Sequence, residues 1–192
     1  MKTLSLVLAA GAFAALLPGA ALADDTAARV EGSRAVVKAF GAQLLGELQE
    51  AMKRGGPVEA IKTCNVAAPA VALSQGQAHG WKVGRTSLKV RNPASEPDGW
   101  ERRVLEQFAE RAAKGEDPAA MEVSEVLEEN GQRTFRYMKA IAIPANAPCV
   151  TCHGTAIDPA VSKALAELYP NDKATGYAPG DLRGAFTIRQ PM

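Results

Sequence analysis

Residues 121–143 read MEVSEVLEENGQRTFRYMKAIAI, and this stretch decides the kind of fold that the chain can adopt. Asn130-Gly131 at its centre favours a two-residue β-hairpin turn, because both central positions of a type I′ turn need positive φ. Gln132 to Ile143 predicts a strand whose apolar residues on one face are Phe135, Tyr137, Ile141 and Ile143. The segment before the turn is ambiguous between strand and helix. If the hairpin forms, Glu122 to Leu127 is the antiparallel partner.

Outward from this hairpin, helical and extended patterns alternate. Apolar spacing and capping residues predict helices over Thr26 to Arg54, Val58 to Leu73, Trp100 to Lys114 and Asp158 to Leu168. Gly55-Gly56 separates the first two helices, and Pro69 interrupts the second. Strand formers predict strands over Trp81 to Val90 and Gly184 to Gln190. This order predicts a single α+β domain with a small antiparallel sheet and helices packed on it.

The predicted hairpin leads directly into Cys149-Val150-Thr151-Cys152-His153, a C-x-x-C-H motif. This spacing is the attachment site of a c-type haem, in which two thiols add to the vinyl groups and the His binds the iron. A disulfide or half a zinc site is the alternative interpretation. Zinc would need a second C-x-x-C or an H-x-x-x-H, which the sequence lacks. Pro144 and Pro148 place the motif in a loop, unlike a thioredoxin C-x-x-C. We therefore expect one covalent haem c.

The first 23 residues have the pattern of a signal peptide. Lys2 precedes an apolar run over Leu4 to Leu17, and Ala21-Leu22-Ala23 is an A-x-A cleavage site. Residues 24–192 are then the mature domain, which we expect to be soluble and periplasmic, with no membrane span after cleavage. The mature charge is (22 − 1) − 21 = 0 before haem is added. This balance does not indicate binding to nucleic acid or to an anionic membrane surface.

Cys64 is left over once Cys149 and Cys152 hold the haem. It recurs with Ile61, Ala68 and Val71 on the apolar stripe of the second predicted helix, so it points inward. It is either a buried, inert thiol or the second axial ligand of the iron, opposite His153. The rival ligands are His79, in a predicted polar loop over Gln75 to Gly80, and the methionines Met52, Met121 and Met138.

The predicted strand after Trp81 carries a second candidate site. Arg85, Ser87, Lys89 and Arg91 alternate, so they would share one strand face. Arg85 and Arg91 could bind the two haem propionates, because guanidinium groups form bidentate hydrogen bonds with carboxylates. A solvated strand face is the equally acceptable alternative. Arg189 near the C-terminus has the same two interpretations.

Four stretches carry a resemblance to a known family: IKTCNVAAP (61–69), GRTSLKVRNP (84–93) with PDGWE (97–101), CVTCHG (149–154) and GDLRGAFTIR (180–189). The chain resembles the Tll0287-like (DUF3365) family of exported haem c proteins with a PAS-like domain. The resemblance implies a PAS-like antiparallel sheet with helices packed on it. It also implies axial ligation of the iron by His153 and Cys64, and a function in redox or gas sensing.

Two classes of function are compatible with the sequence. A haem protein with both axial positions filled would transfer electrons, or sense redox state or a gas, together with a redox partner protein or a small signal. A haem enzyme, such as a peroxidase or a nitric-oxide-handling enzyme, would need an open distal face and positioned acid–base groups. The only spare His is His79, so we expect no catalytic residues and no enzyme activity. A haem that merely ties the fold together is a third interpretation.

Overall fold

A computed structural model describes residues 19–146 and 148–192 of the chain, with side chains from Asp25 onward. Residues 1–18 of the predicted signal peptide lie outside the described residues. The described chain begins with the backbone of a helix at Gly19.

The hairpin over residues 122–142 forms as predicted. Strand β2 (Glu122–Glu129) pairs antiparallel with strand β3 (Gln132–Ala142), and Glu129 lies opposite Gln132. Asn130 and Gly131 have φ values of 54° and 75°, as a type I′ turn requires. The ambiguity before the turn is thus resolved in favour of a strand.

The sheet has four antiparallel strands in the order β1-β4-β3-β2, among the described residues. Strand β4 (Leu182–Pro191) lies between β3 and β1 (Lys82–Thr86). The predicted α+β fold is confirmed. The strand predicted over Trp81 to Val90 is shorter than expected. The Ser87 hydroxyl bonds to the backbone of Lys89 and to the Arg183 carbonyl, and this local bonding turns the chain out of the ladder.

A long helical segment, α1 (Gly19–His79), precedes the sheet. Its backbone is non-helical at Gly55 (φ −157°, ψ 21°) and Gly56 (φ 69°, ψ −163°), which confirms the predicted break and divides α1 into an N-terminal and a C-terminal arm. The C-terminal arm continues through Pro69 and ends at His79. Both the predicted interruption at Pro69 and the predicted loop over Gln75 to Gly80 were therefore wrong. The buried side chains of Ala68 and Val71 hold this arm in place despite the proline.

Helices cover both faces of the sheet. On one face, Val36 of the N-terminal arm packs against Phe135, Tyr137 and Ile188. On the other face, helix α2 (Gly99–Ala113) packs its buried residues against Met138, Ala140 and Ala185. Strand β3 is consequently buried on both sides, and the helix-packed fold of the prediction is confirmed.

The α2 face also contains a buried ion-pair network. The Arg136 side chain is 2% exposed and bonds to Asp98 (2.8 Å), Glu101 (3.2 Å) and Glu129 (2.8 Å). Arg189 joins the same network through Asp98 (3.1 Å) and Glu129 (3.2 Å). Arg189 is thus an ion-pair partner of the α2 face, which neither of its two predicted interpretations anticipated.

The C-x-x-C-H motif lies on a one-turn helix, α3 (Cys149–His153), and not in the loop that the prolines predicted. Helix α4 (Pro159–Leu168) follows, with Asp158 as its predicted N-cap. The α4 residues Val161 and Leu165 pack against Ile61 of the C-terminal arm. Within the described ranges, no helix combines the length and apolarity needed to cross a membrane.

Candidate functional site

A cavity of about 360 Å³ lies where α1, α3 and one end of the sheet meet. Its volume falls within the range of small-molecule pockets, roughly 300–1,000 Å³. Much of the lining is apolar and includes Leu44, Leu48, Ile61, Ile141 and Phe186. All six residues that the sequence singled out for cofactor binding line this cavity: Cys64, Arg85, Arg91, Cys149, Cys152 and His153.

The short helix α3 places three of these side chains at the cavity. The amide of Gly154 donates to the Val150 carbonyl at 2.8 Å and closes the turn after His153. Glycine is needed at this position, because a Cβ would lie 2.5 Å from the same Val150 oxygen. Local chain geometry therefore lets two thiols and an imidazole follow one another within a single turn.

The His153 imidazole is held in one orientation. Its Nδ1 lies 2.7 Å from the Ala174 carbonyl oxygen, which can only accept a hydrogen bond, so Nδ1 donates. The other ring nitrogen, Nε2, is left with a lone pair for a metal. Burial lowers the pKa of His153 to about 3, with Arg183 and Arg91 adding to the shift. The imidazole is thus neutral, as a ligand must be.

The three cysteines are free thiols, so the C-x-x-C pair does not form a disulfide. Burial raises the pKa of Cys64, and the nearby cations Arg85 and Arg91 partly oppose this effect. Burial also raises the pKa values of Cys149 and Cys152. Without a metal, all three thiols stay protonated at neutral pH.

None of the rival ligands lines the cavity among the described residues. His79 is exposed at the end of α1 and stacks on Trp81, with ring centroids 4.9 Å apart. Met121 and Met138 are both 0% exposed in the core beneath α2, on the other face of the sheet. Of the alternatives considered from the sequence, only Cys64 reaches the cavity.

Arg85 lines the cavity without a carboxylate partner. Its guanidinium makes no hydrogen bond or ion pair with the described residues, and its Cζ lies 5.9 Å from the centre of the Phe40 ring. Burial lowers the pKa of Arg85, which shows that the cation is poorly solvated. Such a group can accept an anionic partner at little further desolvation cost.

Arg183 is a second cation of this kind, and the sequence did not single it out. It lines the cavity, and its Nη1 donates to the Ser87 hydroxyl at 3.0 Å, but it has no carboxylate partner among the described residues. Burial lowers the pKa of Arg183 as well. The only sequence signal was its place in the stretch GDLRGAFTIR, where nothing local separates it from an ordinary strand-end arginine.

Arg91 differs from both because its guanidinium is already engaged. It forms an ion pair with Asp172 at 2.9 Å and donates to the carbonyl oxygens of Cys152 (2.5 Å) and Ala174 (3.3 Å). The shared strand face predicted for Arg85 to Arg91 does not exist, because β1 ends at Thr86. Tertiary contacts bring Arg85 and Arg91 to the cavity instead.

The cavity can accommodate a group of a particular chemistry. Its apolar wall suits a flat apolar body, and two unpaired guanidiniums suit two acidic substituents. Adjacent thiols could attach such a group covalently, while His153 and Cys64 offer nitrogen and sulfur ligands to a metal within it. These donors fit a haem c. No cluster of three or more His, Cys, Asp or Glu side chains suited to a metal ion occurs in the part of the chain that the structure describes.

A second depression, a groove of about 540 Å³, lies along α1 between its two arms. It is lined by residues such as Glu47, Glu59, Lys62 and Val66, and by no cysteine or histidine of the described chain. It therefore has none of the chemistry of the first cavity.

The sequence and the fold of this chain both resemble those of known proteins. The family model described as Tll0287-like matches residues 21–191. The crystal structure of the cyanobacterial haem protein Tll0287 has a similar fold, with a TM-score of 0.63 and 23% sequence identity. The similarity covers 85% of this chain and 95% of that chain. No protein with a curated description matches the sequence significantly.

Proposed function

Because the chain belongs to the Tll0287-like family, we propose that it is a c-type haem protein that transfers electrons or senses redox state or a gas. The observation that carries this proposal is the convergence of Cys149, Cys152, His153 and Cys64 on one apolar cavity. The similar solved structure supports it, because that protein is described as a haem protein. When bound, the haem would supply an iron that can change its oxidation state by one electron.

Each cavity residue then has a defined function. Cys149 and Cys152 would attach the haem, and His153 would bind the iron through Nε2. Cys64 would bind as a thiolate, which coordination would keep deprotonated even though burial raises the pKa of the free thiol. A thiolate is a soft anionic donor that favours ferric iron, so we expect a low reduction potential.

Arg85 and Arg183 are the groups that we assign to the propionates. Both line the cavity, and neither has a carboxylate partner among the described residues. The two propionates would therefore offset the desolvation cost of these two cations. Arg91 already has Asp172, which makes it a weaker candidate for this function.

A non-enzymatic function is favoured by the ligand set. With His153 and Cys64 both available as ligands, a bound haem iron would have no open position for a substrate. The spare histidine that an enzyme could use, His79, is exposed and does not line the cavity. We further propose that residues 1–23 direct the chain to the periplasm, where it would meet a redox partner protein or a small diffusible signal.

Absorption spectra of the purified protein test this proposal. We expect haem that survives denaturing electrophoresis, and a low-spin ferric spectrum with a thiolate signature. The C149A/C152A double variant should lose covalent haem, and Cys64→Ala should lose the thiolate signature. His79→Ala is the control and should leave the spectrum unchanged.

Three results would contradict different parts of the proposal. A wild-type protein without covalent haem, after expression with the haem c attachment machinery, would refute the haem assignment. A Cys64→Ala spectrum identical to wild type would refute the axial ligand. A high-spin ferric form that binds azide readily would favour the enzyme alternative.

A further inference from the structure

The segment over residues 172–177, here called the strap, runs beside α3 and is bound by the chain that follows β1. Lys173 donates its amide to the Val90 carbonyl at 2.8 Å, and the Lys89 ammonium bonds to the Thr175 carbonyl. The strap also donates to α3, because the Tyr177 amide donates a hydrogen bond to the His153 carbonyl at 2.9 Å. The strap thus connects the segment that follows β1 to the C-x-x-C-H helix.

Arg91 and Asp172 form the buried centre of this connection. Their side chains are 11% and 10% exposed. Asp172 accepts from Arg91 Nε through Oδ2 at 3.0 Å, and from the Ala174 amide through Oδ1 at 2.8 Å. One carboxylate therefore holds both the guanidinium and the peptide of Ala174.

The same peptide orients the imidazole. The Ala174 carbonyl accepts from His153 Nδ1 at 2.7 Å and from Arg91 Nη2 at 3.3 Å. Arg91 Nη2 also donates to the Cys152 carbonyl at 2.5 Å, next to His153 in the chain. Arg91 therefore contacts both the acceptor of the imidazole and the backbone of the helix that carries it.

We propose that Arg91 and Asp172 are positioning residues that fix the orientation and electron donation of the His153 imidazole, and so set the reduction potential of the haem, rather than binding a propionate. This inference rests on the proposed function. The hydrogen bond from a ligating His to a carbonyl makes the imidazole a stronger donor, and partners at this distance from a metal tune its properties. Since the ion pair is buried, solvent screens it little.

The test is potentiometry and proton NMR of the haem-loaded Arg91→Lys variant. Lysine keeps the positive charge near the cavity, but it cannot bond to Asp172 and two carbonyls in the fixed geometry of a guanidinium. A freer imidazole donates less to the iron, so we expect the reduction potential to shift upward. The paramagnetically shifted haem methyl signals, which report the plane of the imidazole, should change their pattern.

Arg136→Lys is the matched control. It makes the same replacement at an arginine that is 2% exposed and bonds to three carboxylates, on the other face of the sheet. It should lower the urea midpoint and leave the potential and the methyl pattern unchanged. If Arg91→Lys binds too little haem to measure, the same measurements on the Asp172→Asn variant test the proposal. It releases the same guanidinium and should shift the methyl pattern in the same way.

The outcomes separate two questions. Haem absent from the wild-type protein would refute the proposed function, and this inference with it. Haem present, with the Arg91→Lys potential and methyl pattern equal to wild type, would refute the positioning alone. Equal shifts in Arg91→Lys and Arg136→Lys would also refute it, because they would reflect a general loss of stability.

Discussion

Arg85, Arg91 and Arg183 have the same side chain and line the same cavity, yet they meet different partners. Arg91 is neutralised by Asp172, whereas no carboxylate among the described residues forms an ion pair with Arg85 or Arg183. Burial lowers the pKa values of both of these arginines, and the more distant Asp172 offsets this effect only in part at Arg183. The difference between the three residues lies wholly in their surroundings.

The first prediction concerns the charge of Arg85. A cation beside the haem stabilises the ferrous form, so we expect Arg85→Gln to lower the reduction potential by some tens of millivolts, where ~59 mV corresponds to a tenfold change for one electron. Arg183→Gln should act in the same direction. Spectroelectrochemical titration of the haem-loaded proteins measures the shift.

Arg102→Gln is the control for this prediction. Its side chain is 48% exposed on α2 and lies 3.9 Å from Glu96, so its replacement should leave the potential unchanged. If Arg85→Gln and Arg183→Gln both retained the wild-type potential, neither cation could be acting on the haem.

Among the secondary-structure elements, α1 does two things. Its N-terminal arm covers one face of the sheet, and its C-terminal arm brings Cys64 to the cavity. The change of direction takes place at Gly55 and Gly56, and Gly56 has a φ of 69° that residues with a side chain rarely adopt. The position of Cys64 therefore depends on a backbone conformation two turns before it.

The second prediction compares two glycines of α1. A Cβ would meet nothing within 4 Å at either Gly56 or Gly46, so only the backbone conformation distinguishes them. Gly56→Ala should lower the free energy of unfolding by ~1–2 kcal/mol, because alanine is strained at positive φ. Gly46→Ala, in the helical N-terminal arm, should raise it by ~0.5–1 kcal/mol.

Urea unfolding of the two variants measures these effects. The ferric spectrum reports whether Cys64 keeps its place, and Gly56→Ala should weaken the thiolate signature while Gly46→Ala should not. Equal stability of the two variants would show that the chain at Gly56 adopts another conformation in solution.

On the scale of the whole molecule, the two faces of the sheet serve different purposes. The α1 face opens into the cavity, whereas the α2 face is closed by an apolar core and the Arg136 network. Burial alone would raise the pKa of Asp98, but the Glu101 amide and the Arg136 guanidinium lower it below its usual value. The network therefore stabilises the fold in a pH-dependent way.

The third prediction follows from the sign of that shift. A carboxyl with a lowered pKa in the folded state stabilises the protein above its unfolded pKa, ~3.9 for Asp, and this contribution is lost as the pH falls further. We expect the urea midpoint to fall steeply below about pH 4. The urea midpoint of Asp98→Asn should fall less steeply, because unfolding of this variant takes up fewer protons than unfolding of wild type, by at most about one.

Asparagine suits this test because it is as good an N-cap as aspartate, and Asp98 caps α2. The substitution therefore removes the negative charge while it keeps an N-cap residue at the start of α2. Urea titrations at several pH values measure it, with Asp117→Asn, which removes an exposed carboxylate that bonds to the Ala119 amide, as the control. If the urea midpoints of wild type and Asp98→Asn fell in parallel with pH, the pH dependence of stability would not come from this carboxyl.

Local physics explains which features could be predicted from the sequence. The Asn130-Gly131 turn depends on two φ angles, the helix break on Gly55-Gly56, and the α4 cap on Asp158-Pro159, all of which are properties of adjacent residues. Two predictions that were made from local sequence patterns failed. Tertiary packing keeps the C-terminal arm of α1 helical across Pro69, and a hydrogen bond of the Ser87 side chain ends β1 earlier than its sequence predicted.

The antiparallel α+β fold and the family could be predicted from sequence patterns, which also singled out six candidate site residues: Cys149, Cys152, His153, Cys64, Arg85 and Arg91. That these residues share one cavity, that Arg183 joins them and that Arg91 is bound to Asp172 became visible in the folded chain alone. The reason is chain separation. Arg91 and Asp172 are 81 residues apart, and no local pattern specifies a contact that forms only when the sheet and its helices have packed.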